Sequence, residues 1–320
     1  MRANLWLRTA SRVIVRIASF RATKFHELER AAKRIEWNRF VGAGSLADFR
    51  VTARKSKLYH SDAIAQRLSD AAGGAGRGSH EQLFVARAVR DEFEISVDSS
   101  GALLHMRGYR QATAKAPLRE TLAAALLLGA QWSGRTALLD PFCGSGTIPI
   151  EGAMMARNMA PGLGREFAFA RWPEFDAAAW NTLRDEARAA VRAGTLAPIY
   201  GSDRDAGAIE AAMGNAERAG VADDVAWSKR SVSAIEILPG SGLVATNPPY
   251  GKRIRGGPDV RNVYAQLGNV VRRTLAGWEV AIYTTEAQLA KQTRLPLTQE
   301  FQTINGGIRI GAWMGEVPPE

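Results

Sequence analysis

Three short stretches hold residue types that could do chemistry together. The most specific is ATNPPYG at 245–251. Two consecutive prolines fix the backbone path of a turn. That turn leaves the side-chain oxygen of Asn247 and the backbone carbonyl of Pro248 as free acceptors. Together they can grip both hydrogens of a planar exocyclic amine and aim its nitrogen lone pair. Tyr250 can stack on the base that carries the amine. Such a reaction depends on alignment with an activated methyl donor more than on a strong base.

The second stretch is LLDPFCGSGT at 138–147. A buried strand ends in Asp140, and a turn bearing Gly144 and Gly146 opens a helix. Glycines let a backbone approach a ligand closely, and a helix N-terminus favours negative charge. S-adenosylmethionine fits this pattern, with a carboxylate for the N–H groups; Asp140 could accept from its ammonium or order the loop. The spacing is neither that of a dinucleotide fingerprint nor that of a P-loop with its lysine. Cys143 reads as a small filler in the turn. The third stretch is YGSD at 200–203, where Asp203 at a strand tip can hold ribose hydroxyls. Asp205 reads as the N-cap of the next helix.

These residues need a scaffold, and the second part of the chain supplies an alternation of strands and helices. Strands are expected at 136–139, 199–202, 242–246 and 278–284. Helices are expected at 147–158, 205–219 and 260–276, and a hairpin-like pair at 301–304 and 307–313. This predicts an α/β fold, Rossmann-like with a mostly parallel sheet. The first part reads as a smaller α+β module. It has strands at 11–20 and 48–54, helices at 23–40 and 61–71, and a hairpin of 93–97 with 102–106 around Asp98-Ser-Ser-Gly101. The polar stretch 108–116 marks the junction, giving domains of 1–110 and 111–320. An insertion at 157–198, with Trp172, Trp180 and several arginines, could wall a substrate cleft, although its tryptophans read as core.

Charge separates the two parts. Residues 1–110 carry 20 Lys/Arg against 11 Asp/Glu, a net of +9, whereas 111–320 carry 22 against 21. A basic module beside a neutral one points to a part that binds a polyanion, either a nucleic acid or a bacterial membrane surface. One cysteine and four scattered histidines exclude an internal disulfide and offer no metal-ligand spacing, so no metal is expected. Arginines interrupt the first 21 residues, and no apolar run is long enough to span a bilayer. The expectation is a cytoplasmic protein with no membrane partner. Its oligomeric state is not readable.

On LHMRGYR at 104–110, KAPLRETLAAALLL at 115–128, LLDPFCGSGTIPIEGAMMA at 138–156, APGLGR at 160–165 and NPPYGKRI at 247–254, the chain resembles a known family. It is similar to the THUMP-domain RNA methyltransferases, in particular the N-terminal half of those that modify guanine N2 in large-subunit rRNA. The resemblance covers nearly the whole chain and implies a ferredoxin-like piece, a THUMP RNA-binding module and a class I methyltransferase domain. It implies transfer of a methyl group from S-adenosylmethionine to guanine N2 in RNA, 23S rRNA first and tRNA second. The cofactor set it implies is Pro117, Asp140, Phe142, Gly144, Gly146, Thr147, Asp203, Ser231 and Asn247, with Asn247, Pro248 and Tyr250 as the catalytic corner.

Two departures stand out. The family's opening strand and helix have no counterpart here, and Ser231, in KRSVSAIE, occupies a position where the family often has an acidic residue for adenine. Candidate RNA contacts are Arg54, Lys55, Lys57, Arg107 and Arg110, with Lys252, Arg253 and Arg255 just past the catalytic turn. The rival readings are an adenine-N6 methyltransferase acting on DNA or RNA, a protein glutamine methyltransferase, and a non-catalytic RNA-binding assembly factor.

Overall fold

A computed structural model describes residues 1–42, 45–73, 80–111, 118–250 and 260–319. In chain order, the elements are α1 (Arg2–Trp6), β1 (Ile14–Arg21), α2 (Phe25–Ala32), β2 (Ser45–Arg54), α3 (Ser61–Ala71), β3 (His80–Val89) and β4 (Glu92–Asp98). Then come α4 (Glu120–Gly129), β5 (Ala137–Asp140), α5 (Thr147–Ala156), α6 (Ala177–Ala189), β6 (Ile199–Asp203), α7 (Ala206–Ala219) and β7 (Val225–Lys229). The chain finishes with β8 (Gly242–Thr246), α8 (Val260–Thr274), β9 (Glu279–Thr284), α9 (Ala287–Gln292), β10 (Thr298–Asn305) and β11 (Ile308–Glu316). These elements form two compact units, Met1–Leu104 with Gly164–Glu186, and His105–Leu163 with Ala187–Glu320. The segment 164–186, read from the sequence as part of a cleft wall, thus belongs to the first unit.

The first unit holds a four-stranded sheet in the order β1-β4-β3-β2, with β2 parallel to β3 and the other pairs antiparallel. Phe84, Ala86 and Ala88 of β3 and Phe93, Ile95 and Val97 of β4 point to one face and are buried with Leu28 of α2 and Ile64 and Leu68 of α3. Helix α2 is much shorter than the predicted 23–40. The Trp37 indole N–H donates to the Ala32 carbonyl at 2.9 Å and occupies the helix end. Its start is capped by the Glu27 carboxylate, which accepts from the Thr23 and Lys24 backbone N–H groups at 2.7 and 3.2 Å.

The predicted hairpin of 93–97 with 102–106 is replaced by β3 and β4, which turn at Arg90-Asp91. Both turn residues have positive φ, 53° and 69°, as a two-residue hairpin turn of the primed type requires, without the usual glycine. Asp98-Ser-Ser-Gly101 instead ends β4. The Asp98 carboxylate accepts from the Ser100 and Gly101 N–H groups at 2.9 and 3.0 Å and pairs with Arg12. Trp180 packs edge-on against Phe167 and Phe169 and is buried. Trp172 donates to Gln82 Oε1 at 2.8 Å, so both tryptophans are structural.

The second unit holds a seven-stranded sheet in the order β10-β11-β9-β8-β5-β6-β7. The pairs from β7 through β9 are parallel, while β11 runs antiparallel to β9 and to β10. This is the expected Rossmann-like α/β sheet. Strands β5 and β8 are apolar throughout apart from their last residues, and both are wholly buried, as a strand covered on two faces must be. β7 and α9, both short, and α6 are not among the elements expected from the sequence. Edge strand β7, with the sequence VAWSK, alternates too weakly to announce itself. The pair β10–β11 turns at Gly306-Gly307, again with both φ values positive.

Candidate active site

The order of the large sheet reverses at β5, with β6 and β7 on one side and β8 and β9 on the other. Such a reversal opens a crevice beyond the carboxyl ends of the strands. Three of the sequence candidates stand at those ends: Asp140 closes β5, Asp203 closes β6, and Asn247 follows β8. The Thr246 hydroxyl donates to Asp140 Oδ1 at 2.6 Å, and the Phe142 N–H donates to the same oxygen at 3.1 Å. Burial pushes the Asp140 carboxyl up to about 7, against the pull of these two hydrogen bonds. Thr246 directly precedes the Asn-Pro-Pro-Tyr corner, and its residue type alone gives no sign of this bond.

The turn after β5 is held from several sides. The Cys143 N–H donates to the Ser202 carbonyl at 3.0 Å, and the Gly144 N–H donates to Asp203 Oδ2 at 3.0 Å. Asp203 Oδ1 accepts from the Asp205 N–H at 3.0 Å, and Asp205 in turn caps α7 by accepting from the Gly207 N–H, as expected. Gly144 has φ +53°, and among the described residues nothing lies within 4 Å of where its Cβ would stand. Gly146, with φ +85°, differs: a Cβ there would meet the Trp227 ring at 2.7 Å and Ala212 at 2.9 Å. This second glycine lets the turn seat on the core. Thr147 is buried as the first residue of α5, and Phe142 is half-buried. Burial pushes the Cys143 thiol well up, which suits the filler role.

At the corner after β8, Pro248 is buried and Asn247 half-buried. Asn247 Oδ1 is a buried acceptor with no hydrogen-bond partner among the described residues. Such an atom costs about 1–3 kcal/mol, a cost that a ligand donor would remove. Tyr250 does not fit its expected role. It is 1% exposed within the hydrophobic core, and its hydroxyl accepts from Asn305 Nδ2 at 3.5 Å, so its ring offers no face to a base in this conformation. Ser231 is exposed after β7, its hydroxyl 2.7 Å from that of Ser233. The neighbouring Arg230 N–H donates to the Asp203 carbonyl at 3.0 Å, which ties this loop to the β6 end. Pro117, Lys252, Arg253 and Arg255 lie outside the described residues.

The candidate RNA contacts divide. Arg54, Lys55 and Lys57 are exposed in the first unit. Arg107 and Arg110 are not surface cations. The Arg107 side chain is 2% exposed and its Nε lies 3.4 Å from Glu151 Oε1, an oxygen that also accepts from the Tyr109 hydroxyl at 3.3 Å. Arg110 pairs with buried Glu120 at 3.1 Å and donates to the Leu118 carbonyl at 2.7 Å. Burial raises the Glu120 carboxyl to about 7, with the Arg110 charge opposing. Both arginines therefore brace the interior of the second unit, where desolvated guanidinium groups need carboxylate partners.

A further polar relay was not visible in the sequence. The Asn215 side-chain amide donates to the Ser145 carbonyl in the glycine turn at 3.0 Å. Arg218, one turn along α7, bonds Asn215 Oδ1 and donates from Nε to the Tyr109 carbonyl at 2.8 Å. The relay thus links the glycine turn to the segment around Tyr109, and Tyr109 in turn bonds Glu151 on α5, the helix that the turn opens.

Residues 107–311 match the family described as "RMKL-like, methyltransferase domain". A Synechocystis sp. relative named "Putative RNA methyltransferase slr0064" is 33% identical over 319 residues, covering 96% of this chain and 83% of its own length. The "Ribosomal RNA large subunit methyltransferase K/L" of Syntrophotalea carbinolica is 36% identical over 329 residues, 96% of this chain and 46% of its own. The chain spans about half the length of the K/L relatives it matches. The solved structure of "SMU.472, a putative methyltransferase complexed with SAH" superposes with a TM-score of 0.85 at 27% identity, over 100% of this chain and 87% of that one.

Proposed function

Because the chain belongs to the RMKL-like methyltransferase family and its second unit has the Rossmann-like class I methyltransferase fold, we propose that it methylates the exocyclic N2 of a guanine in RNA, with large-subunit rRNA as the substrate and S-adenosylmethionine as the donor. The observation that carries this reading is the buried Asn247 Oδ1 at the β8 end, without a partner among the described residues and beside the strand end that bears Asp140. An orphaned amide oxygen suits one N–H of a flat amine, and the Pro248 carbonyl suits the other. These two acceptors fix the amine plane and so the direction of its lone pair.

The residues present fit the cofactor. Among the described residues nothing crowds Gly144, and Asp140 and Asp203 flank the same turn. Asp140 would receive the ammonium of the methionine part, and Asp203 would receive the ribose hydroxyls through lone pairs left over from its two backbone bonds. Ser231, beside Asp203 through Arg230, would lie towards the adenine. When bound, S-adenosylmethionine supplies a methyl group on a positively charged sulfur. The chain supplies orientation and exclusion of water, and no side chain is asked to act as a strong base.

The test is methyl transfer from labelled S-adenosylmethionine to large-subunit rRNA, tRNA and DNA, followed by nucleoside mass spectrometry. N2-methylguanosine in rRNA is expected. Methylated adenine in its place would move the chain to the adenine-N6 class. Asn247→Ala should abolish transfer while cofactor binding persists, and turnover at the wild-type rate would remove the gripping role.

A further inference from the structure

The first unit carries an exposed loop, residues 54–60, between β2 and α3, and its backbone is fixed. The Lys57 N–H donates to Asp91 Oδ1 at 2.7 Å, and the Asp91 N–H donates to Ser56 Oγ at 3.0 Å. The Arg90 N–H donates to the Arg54 carbonyl at 3.1 Å, and Leu58 anchors the loop in the core. Lys55, Arg90 and Asp91 all hold positive φ, a conformation kept only where the surroundings enforce it. What this rigid loop displays is cationic and aromatic. Arg54, Lys55, Lys57 and Arg90 are exposed, and Tyr59 is 65% exposed with its ring centroid 4.1 Å from that of His60.

An exposed ring pair thus stands beside four exposed cations on a loop whose backbone is held in place. Its chemistry matches a base with its phosphates. Aromatic faces hold unstacked bases without regard to sequence, cations hold the backbone, and an already fixed loop loses little entropy on binding. A paired base has its faces covered by its neighbours and gains nothing from such a platform. We propose that Tyr59 and His60 form a stacking site for an unpaired RNA base, with Arg54, Lys55, Lys57 and Arg90 holding the flanking phosphates. The site would select RNA regions that carry a free base, apart from the corner that grips the reacting amine. This inference rests on the RNA reading above and gives the first unit a specific ligand.

The test is fluorescence anisotropy of the full chain with a short fluorescein-labelled single-stranded RNA, and with the same strand in a duplex. Tyr59→Ala should weaken single-strand binding by about tenfold and leave duplex binding within about twofold. Tyr59→Phe and Tyr59→Trp should keep wild-type affinity, and Lys57→Ala should weaken both RNA forms. Unchanged single-strand affinity in Tyr59→Ala, or an equal loss for both forms, would overturn the proposal. If the wild-type chain binds neither RNA, the RNA reading itself fails, which is a different result from a wild type that binds and a Tyr59→Ala variant that binds equally well.

Discussion

The raised carboxyl of Asp140 makes cofactor affinity depend on pH in a calculable way. Its value of about 7 means that close to half of the ligand-free chains carry a protonated Asp140 at neutral pH. If only the carboxylate receives the ammonium of S-adenosylmethionine, the apparent Kd scales as one plus the ratio of protonated to ionised Asp140. That factor is about 2 at pH 7 and about 11 at pH 6, so affinity should fall roughly fivefold over this unit. An α-amino group titrates near ~7.7–8.0, so the cofactor's own charge is nearly constant in this window. Isothermal titration calorimetry in two buffers of different ionisation enthalpy should also detect about half a proton released per binding event at pH 7. Thr246→Val removes one of the two donors to Oδ1 and should move the midpoint upward. Asp140→Asn should weaken binding and flatten the profile. Equal Kd values at pH 6 and pH 7 for the wild type would refute the argument. The sign for stability is opposite to that for binding. A carboxyl raised in the folded state stabilises the ligand-free chain below its ordinary value of 3.8, and that contribution is lost as pH climbs through about 7.

Asp203→Ala removes the acceptor for the Gly144 N–H as well as the candidate ribose contact, so calorimetry should show cofactor affinity down by about tenfold or more. Arg218→Ala releases both Tyr109 and Asn215 and should raise the KM for the cofactor several-fold while kcat at saturation holds; a fall in kcat alone would contradict the relay. Gly146→Ala combines a left-handed backbone with contacts of 2.7 and 2.9 Å, and urea unfolding should report a loss of about 2 kcal/mol or more. Glu151→Ala takes an acceptor from both Arg107 and Tyr109 in a dry interior, and the same assay should show a loss of about 3–5 kcal/mol.

The parts of the site legible in the sequence are those where residue type and local geometry are one and the same. Asp140, Gly144 and Gly146 follow from a strand, a turn with positive φ and a helix start, and all three stand where the motif implies. The Asn-Pro-Pro corner is similar, because proline dictates its own backbone. What sequence could not show were side-chain partners distant along the chain. Arg107 and Arg110 looked like the surface arginines around them, and only the fold brings Glu151 and Glu120 to them. Tyr250 reads from its motif as a stacking ring, and burial places it in the core instead. The fold errors have the same origin. The β3–β4 turn uses Arg90 and Asp91 in place of glycine, while the glycine of Asp98-Ser-Ser-Gly101 serves a strand end held by a carboxylate. Helix α2 ends where an indole five residues on takes the Ala32 carbonyl, a contact that no propensity scale contains.

The two units are threaded through one another along the chain, which passes between them at 104–105, 163–164 and 186–187. During synthesis the first 104 residues emerge before Phe167, Phe169 and Trp180, the aromatic cluster of their own unit. By the time that cluster leaves the ribosome, α4, β5 and α5 of the other unit are already out, still lacking the strands β6 and β8 that flank β5. Neither unit can therefore mature alone from the N-terminus, and no single proteolytic cut can liberate either one whole. A nick within 164–186 would wound the first unit although it falls in the middle of the sequence, and a fragment begun at 111 would lose the Tyr109 phenol from Glu151.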